Sequence, residues 1–147
     1  MSAVEVLYNQ AGEDTRRLVD EILRADADDQ SWIEQLGPAL TGTAVARMLG
    51  VSPQAVSSNR GLLRLRMRSG RVGYPVFQFR NRHQIEGLGG VVRELGSVVA
   101  SPWTTASWLT SPNAELGGDT PVDALREGNR TELVMASARR FAQALSH

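Results

Sequence analysis

The sequence predicts a mainly α-helical protein, in which a helix-turn-helix with a small β-hairpin wing is followed by a C-terminal helical domain. Three observations predict this fold class. Apolar residues recur at helical spacing along most of the 147-residue chain. Serine or threonine followed by proline, a pair that favours the first turn of a helix, precedes three predicted helices, at Ser52-Pro53, Ser101-Pro102 and Thr120-Pro121. One stretch, from Leu63 to Arg68, instead alternates apolar and basic residues, as a half-buried strand does.

Residues 1–39 are expected to form an N-terminal helical segment, the first of three predicted domains. Leucine, isoleucine and valine repeat at helical spacing behind Asp14, which predicts a helix that runs to about Ala25. Gly37-Pro38 ends a second apolar stretch. The second predicted domain, residues 40–82, holds the helix-turn-helix and its wing, and the third, residues 83–147, holds the C-terminal helices.

The helix-turn-helix is predicted from small and apolar residues at fixed spacing. A helix is expected from Thr41 to Leu49, with Gly50 in the left-handed backbone conformation that a sharp turn needs. Ser52 then caps a second helix, which is expected to end at about residue 60. The apolar residues that the two helices share are Val45, Leu49, Val51 and Val56. An ordinary helical hairpin has the same spacing, so this pattern leaves both alternatives open.

The charge of the middle third of the chain indicates a polyanionic partner. Residues 35–85 contain eight arginines and no acid, a net charge of +8, whereas the two flanking stretches carry −6 and −2. Because an ordinary solvated surface mixes its signs, a long stretch without carboxylates is typical of a surface that binds nucleic acid. Double-stranded DNA is therefore the predicted partner of the second domain.

The wing is predicted as a β-hairpin beside the helix pair. Leu63 to Arg68 forms its first strand, with alternate arginines on one face, and Tyr74 to Phe79 forms its second. Because Pro75 cannot donate a backbone hydrogen bond, the second strand is expected at the edge of the sheet. The arginines also suit a solvated strand edge whose charges prevent aggregation, and both roles can hold together.

The predicted DNA contacts come from both the helix pair and the wing. Short polar groups on the second helix can reach base edges in the major groove, and the arginines of the hairpin suit phosphates or a minor groove. The predicted contact residues are Thr43, Ser52, Gln54, Ala55, Ser57, Ser58, Asn59 and Arg60 in the helix pair, with Arg64, Arg66, Arg68 and Arg71 in the wing.

Nothing in the C-terminal half assembles a catalytic site, so binding is expected there. The chain has no cysteine, and its two histidines, His83 and His147, lie far apart in sequence. No catalytic residue, metal or cofactor is therefore predicted. No apolar run is long enough to span a membrane, and the first residues lack the pattern of a secretory signal, so a cytoplasmic protein without membrane contact is expected.

The stretch from Trp108 to Gly128 carries a more specific pattern. It contains, in order, Trp108-Leu109, Pro112-Asn113, Leu116-Gly117-Gly118, Thr120-Pro121 and Gly128. This order resembles the toxin-binding domain of the Xre/MbcA/ParS antitoxins, which belong to RES-Xre toxin–antitoxin systems. The segment from Tyr74 to Phe79 is also similar to members of that family, so the resemblance covers about residues 40–145.

The resemblance implies an antitoxin that neutralises a RES-domain toxin, an enzyme that consumes NAD, and that represses its own operon by binding DNA. The toxin-binding residues inferred by position are Trp108, Pro112, Asn113, Leu116, Gly117, Gly118, Thr120, Pro121, Leu125 and Arg126. Trp108 also suits a place in the core. Arg139 and Arg140 are added from the last predicted helix, which runs from about Arg130 to Ala144, because cations suit an anionic cofactor pocket. A solvated helix face explains these two arginines equally well.

Two other classes of function compete with the antitoxin interpretation. A stand-alone winged helix-turn-helix regulator would need a ligand pocket or a different dimerisation surface, and the sequence shows no obvious one. An enzyme would need a cluster of titratable groups, which the scattered acids do not supply. In either DNA-binding interpretation a homodimer is expected, since helix-turn-helix proteins commonly bind paired half-sites.

Overall fold

The computed structural model describes residue 34 and residues 36–146, and within them the protein is mainly helical with a small antiparallel sheet, as predicted. The helices are α1 (Gly42–Leu49), α2 (Pro53–Ser58), α3 (Leu88–Gly96), α4 (Pro102–Thr110), α5 (Pro121–Glu127) and α6 (Thr131–Leu145). The strands are β1 (Ala39–Leu40), β2 (Leu65–Arg66), β3 (Val72–Pro75), β4 (Phe79–Arg80) and β5 (His83–Gln84). Two 3-10 turns span Val76–Gln78 and Ala114–Leu116. The helix predicted from Asp14 to Ala25 lies outside the described residues.

The sharp turn between α1 and α2 forms as the sequence predicts. The Thr41 hydroxyl accepts a hydrogen bond from Ala44 N at 3.1 Å, and the Ser52 hydroxyl accepts one from Ala55 N at 3.0 Å. Both helices therefore have side-chain N-caps. Gly50 closes α1 with φ +70°, a backbone conformation that favours glycine.

Two details of the helix pair differ from the prediction. Val51 is 45% exposed and not part of the shared core, because it lies in the turn, where its amide donates to Ala46 O at 3.0 Å. The second helix ends at Ser58, earlier than predicted. Asn59 leaves the helical conformation there, and its Oδ1 accepts a hydrogen bond from Gly61 N at 2.9 Å.

The wing belongs to a three-stranded antiparallel sheet in the order β1–β3–β2. Both predicted strands are wrong in extent, because β2 covers only Leu65–Arg66 and the second strand ends at Pro75, where a 3-10 turn begins. The prediction of an edge position is also wrong, since β3 lies in the centre of the sheet. Pro75 is tolerated because it lies beyond the end of β2 and faces only Ala39 of β1.

A second hairpin, β4–β5, is not evident from the sequence. Arg80 pairs with His83, which leaves Asn81-Arg82 as a two-residue turn. Both turn residues have positive φ, +52° and +66°, as a type I′ turn requires. Because the turn lacks the glycine by which such hairpins are usually recognised, no local signal marks it.

The C-terminal helices begin and end close to their predicted limits. Ser101 and Thr120 cap α4 and α5, each with proline in the first turn, and Gly128 ends α5 with φ +81°. Along α6, Val134, Ala138, Phe141 and Leu145 recur at helical spacing, which predicts one buried stripe. The prediction is wrong at Leu145, which is 43% exposed because it lies in the last turn of the helix, away from the core cluster.

Two clusters of buried apolar side chains hold the described residues together. The smaller cluster lies among α1, α2 and β3 and contains Val45, Ala46, Val56, Leu62 and Tyr74. The larger cluster lies among α3, α4, α5 and α6, and it extends to Leu63 and Leu65 of the wing segment. The wing therefore packs its apolar face against the C-terminal helices.

Candidate functional site

Every residue predicted to contact DNA is exposed. On α2 the Ser57 and Ser58 hydroxyls donate to Gln54 O at 3.1 and 2.8 Å, which holds them against their own helix. The Gln54 side chain makes no hydrogen bond with the described residues. Its amide is therefore available to a base edge, the kind of partner that glutamine binds in a major groove.

The wing directs its arginines away from the core, and here the predicted alternation is confirmed. Leu63 and Leu65 are each 1% exposed, whereas Arg64 and Arg66 are exposed. Trp103 Nε1 donates to Arg66 O at 3.1 Å, so α4 holds the wing through its backbone. The guanidinium groups remain on the outer face, where phosphates could reach them.

Two glutamines fix the segment that joins α2 to the wing. Gln78 is fully buried, its Oε1 accepts from Leu63 N at 2.8 Å, and its Nε2 donates to Leu63 O at 2.9 Å. Gln84 Nε2 donates to Gly61 O at 2.7 Å. These side chains satisfy backbone groups that have no strand partner. The sequence carries one signal of the buried glutamine, since Gln78 is a single amide within the otherwise apolar run from Tyr74 to Phe79.

A cleft of about 700 Å³ opens between the C-terminal end of α2 and the junction of α3 with α4. One wall comes from residues 57–64 and the other from residues 92–105. The sequence does not predict this cleft, because its two walls are distant in the chain. Arg93, on the second wall, is outside the predicted DNA-contact set.

The pattern that resembles the antitoxin family forms a closed loop, residues 112–120, between α4 and α5. Asn113 N donates to Asp119 O at 3.0 Å, and Gly118 N donates to Asn113 O at 2.9 Å. Gly117 and Gly118 have φ +69° and +91°, and a Cβ added at either would meet no atom within 4 Å. The backbone conformation therefore favours glycine at both positions, and the two glycines leave a bare and accessible apex.

Contacts from Arg130, at the N-terminus of α6, and from Ser137 and Arg140 within it fasten this loop to the helix. Asn113 Nδ2 donates to Ser137 Oγ at 3.1 Å. Arg140 forms an ion pair with Glu115, in which Arg140 Nε lies 2.7 Å from the carboxylate. Arg130 donates to a loop carbonyl at 3.2 Å. The loop and α6 therefore present one continuous surface, which we call the loop–α6 surface.

Electrostatics confirm that the Glu115–Arg140 contact favours the charged forms. The hydrogen bond from Arg140, together with its charge, holds the pKa of Glu115 below the ordinary value of 4.5. The same hydrogen bond raises the pKa of Arg140. A hydrogen bond to Asp119 similarly raises the pKa of Arg130. Glu115 and Arg140 are exposed, so their pair orients side chains more than it stabilises the fold, whereas the Arg130 side chain is partly buried.

The residues inferred as toxin contacts fall into three groups by burial. Those on the surface are Pro112, Gly117, Gly118, Arg126, Arg139 and Arg140. Those of intermediate exposure are Trp108, Asn113 and Thr120, and the buried ones are Leu116, Pro121 and Leu125. Leu116, Pro121 and Leu125 lie beneath the surface, where they support the exposed residues. Trp108 packs against the larger cluster and stacks on Phe141, with ring centroids 6.0 Å apart.

Arg126 joins α5 to the middle of the chain. Its Nη1 pairs with Asp123 at 3.0 Å, and its Nη2 donates to Phe77 O at 3.2 Å. Arg80 in turn donates to Arg126 O at 2.9 Å. These contacts already engage the guanidinium of Arg126, so its position serves the packing of α5 as well as any partner.

The loop–α6 surface also has an exposed apolar residue that the sequence interpretation does not single out. Leu133 is 43% exposed. It lies two helical turns before Arg140, on the same side of α6. In the described part of the chain, no group of three or more histidine, aspartate or glutamate side chains could hold a metal ion. Within those residues, no helix has the length and apolar character that crossing a membrane requires.

Comparison with solved structures finds two similar chains. The NMR structure of Rv2175c matches with 27% sequence identity and a TM-score of 0.57, covering 71% of this chain and 81% of that one. A chain in the crystal structure of the M. tuberculosis MbcT–MbcA toxin–antitoxin complex matches with 22% identity and a TM-score of 0.37, covering 86% and 95%. No protein-family model and no curated protein matches the sequence. The structural neighbours of this chain therefore include Rv2175c, whose fold it shares over 71% of its length, and a chain of the MbcT–MbcA complex.

Proposed function

We propose that this protein is an antitoxin, which neutralises a RES-domain toxin that consumes NAD and represses its own operon by binding DNA. One observation carries the proposal. Within the stretch that resembles the toxin-binding pattern of the Xre/MbcA/ParS antitoxins, residues 112–120 form a loop that is closed on itself and fastened to a helix, and Pro112, Gly117 and Gly118 are exposed there. Such a preformed surface loses little conformational entropy on binding a partner.

The loop–α6 surface has features that suit contact with a protein. The bare apex at Gly117 and Gly118 allows a partner backbone to approach closely. Leu133 adds an exposed apolar side chain. Arg139 adds an exposed cation, which suits an acidic side chain of the partner or an anionic dinucleotide bound to it. No ion pair or hydrogen bond engages the Arg139 side chain within the described residues.

Repression is proposed to use α2 and the wing. The exposed polar face of α2 would bind base edges, and Arg64 and Arg66 would bind phosphates. The absence of any acid between residues 35 and 85 means that no carboxylate of that stretch repels the DNA backbone. A homodimer, with one helix-turn-helix on each half-site, is part of the proposal.

The proposal is tested by co-expression of the full chain, carrying an affinity tag, with the product of the adjacent gene. A stable complex should be recovered from the tag. In parallel, the purified protein should bind its own promoter in a fluorescence anisotropy assay, and a scrambled fragment of equal length should bind more weakly. If the protein forms no complex and does not distinguish the two fragments, the proposal is wrong.

A second candidate function is a stand-alone regulator that responds to a small molecule. The observation that favours it is the cleft beside α2, since such a regulator needs a ligand pocket. Recovery of specific promoter binding without any complex with the adjacent gene product would favour this second function over the first.

A further inference from the structure

The cleft beside α2 has the composition of a site for a small molecule. Its volume of about 700 Å³ is in the range of pockets that hold small organic ligands. Leu62, Leu63 and Val92 line it, and they are 5%, 1% and 8% exposed. The interior is therefore a stable apolar surface formed where both core clusters meet the junction of α3 and α4.

One hydroxyl that lines the cleft makes no hydrogen bond within the described residues. Thr105 lines the cleft and is 2% exposed, and its side chain makes no hydrogen bond with the described residues. By contrast, the Thr110 hydroxyl on the same helix donates to Ala106 O at 2.8 Å. The Thr105 hydroxyl is therefore a polar group of the cleft wall that a ligand can bind.

Three arginines surround the cleft and give it a positive rim. Arg60, Arg64 and Arg93 line it and are exposed, and none of them has a hydrogen bond or ion pair with the described residues. The guanidinium of Arg93 lies directly over Gly61, where an added Cβ would lie 2.8 Å from its Cζ. Glycine at this position therefore leaves the space that the Arg93 guanidinium occupies.

We propose that this cleft binds a small organic acid, with its apolar body on Leu63 and Val92, its carboxylate among the arginines and a polar group at Thr105. An apolar floor alone would suit a neutral ligand, and arginines alone would suit a phosphate backbone. The combination of both with the unpartnered hydroxyl favours an amphipathic anion. Four residues of the cleft also belong to the predicted DNA contacts, namely Ser57, Asn59, Arg60 and Arg64. The ligand therefore competes with DNA for them, a consequence that rests on the proposed function.

The test measures ligand binding without DNA, so that it stands apart from the proposed function. The probe is 1-naphthaleneacetate, and its uncharged amide is the matched control. Isothermal titration calorimetry on the full chain should show one site for the acid. The amide should bind at least about tenfold more weakly, because it lacks the charge that the arginines stabilise.

Three variants connect the binding to this cleft. Gly96→Phe should abolish it, because Gly96 lines the cleft and a Cβ added there meets no atom within 4 Å. Arg93→Gln should weaken the affinity about tenfold. Thr105→Val should also weaken it, because valine has nearly the shape of threonine but lacks the hydroxyl. Arg47→Gln, at an exposed arginine of α1 that does not line the cleft, should leave binding unchanged.

Absence of binding at millimolar concentrations of the acid would overturn the proposal. Equal affinity of the unmodified protein and of Arg93→Gln for the acid would overturn it as well. If the acid does not bind and, in addition, Arg93→Gln weakens promoter binding as much as Arg64→Ala does, the cleft is an extension of the DNA contact.

Discussion

Gln78 and Leu63 are joined by two hydrogen bonds, through which one side chain satisfies both backbone groups of one residue. Gln78 Nε2 donates to Leu63 O at 2.9 Å, and Gln78 Oε1 accepts from Leu63 N at 2.8 Å. Neither residue is more than 1% exposed. Because Arg64 follows Leu63 directly, this pair determines where the first wing arginine leaves the core.

Replacement of Gln78 should therefore destabilise the fold strongly. Gln78→Leu leaves a buried N–H and a buried C=O without partners, each at a cost of about 1–3 kcal/mol, so the free energy of unfolding should fall by about 2–6 kcal/mol. Urea denaturation measures this. Gln143→Leu, at an exposed position of α6, should change it by no more than about 0.5 kcal/mol. Equal stability of the two variants would show that the two hydrogen bonds contribute little.

Loss of the wing arginines should weaken DNA binding on every sequence. In the variant with both Arg64→Ala and Arg66→Ala, the slope of log affinity against log salt should fall in magnitude by about 2, because each lost phosphate contact removes about one released counterion. Anisotropy titrations at several salt concentrations measure the slope. Arg139→Ala removes a charge from α6 and should leave the slope unchanged. An unaltered slope in the double variant would mean that the wing does not contact phosphates.

Asparagine at the loop apex should leave the fold intact but should weaken the complex with the toxin. Gly117→Asn keeps a residue that accepts positive φ, and its side chain enters open space, so stability should change by no more than about 1 kcal/mol. Toxin affinity should fall at least about tenfold, because the new side chain holds the partner away. Gly50→Asn is the matched control, since Gly50 has φ +70° and equally open surroundings. Equal toxin affinity in both variants would place the toxin contact elsewhere.

The Glu115–Arg140 pair should make a small contribution to stability that acid removes. The pKa of Glu115 in the folded protein lies below its ordinary value of 4.5, so the folded state favours the carboxylate. The contribution is therefore present above about pH 4.5 and is lost as the pH falls through the lowered pKa. Unfolding free energies of the unmodified protein and Glu115→Gln should differ most at neutral pH and converge in acid. Glu86→Gln, at an exposed loop position, is the control. If its difference in unfolding free energy from the unmodified protein changes with pH as much as that of Glu115→Gln, the Glu115–Arg140 pair does not have this role.

The helix limits could be predicted because they depend on local groups. Ser52, Ser101 and Thr120 cap helices through their own hydroxyls, and Gly50 and Gly128 end helices through their own backbone conformation. Neighbours within four residues decide such features. The alternation of buried leucine and exposed arginine in the wing is equally local.

The features that could not be predicted depend on contacts between distant residues. The pairing of β1 with β3 places Pro75 in a central strand, and nothing in the local sequence around Pro75 indicates that it pairs with Ala39. The burial of Gln78 depends on Leu63, 15 residues away. The cleft similarly needs the approach of residues 57–64 to residues 92–105. In the loop, the pattern of residues 112–120 identifies the segment, while the structure alone distinguishes its exposed apex from its buried leucine.

The measurement that tests the central claim most directly is a titration of the adjacent gene product, assayed for NAD consumption, with this protein. The antitoxin account predicts that activity falls to background at a fixed molar ratio of the two proteins. Gly50→Asn should silence the enzyme at the same ratio, whereas Gly117→Asn should need a large excess. Full NAD consumption in the presence of excess unmodified protein would contradict the account.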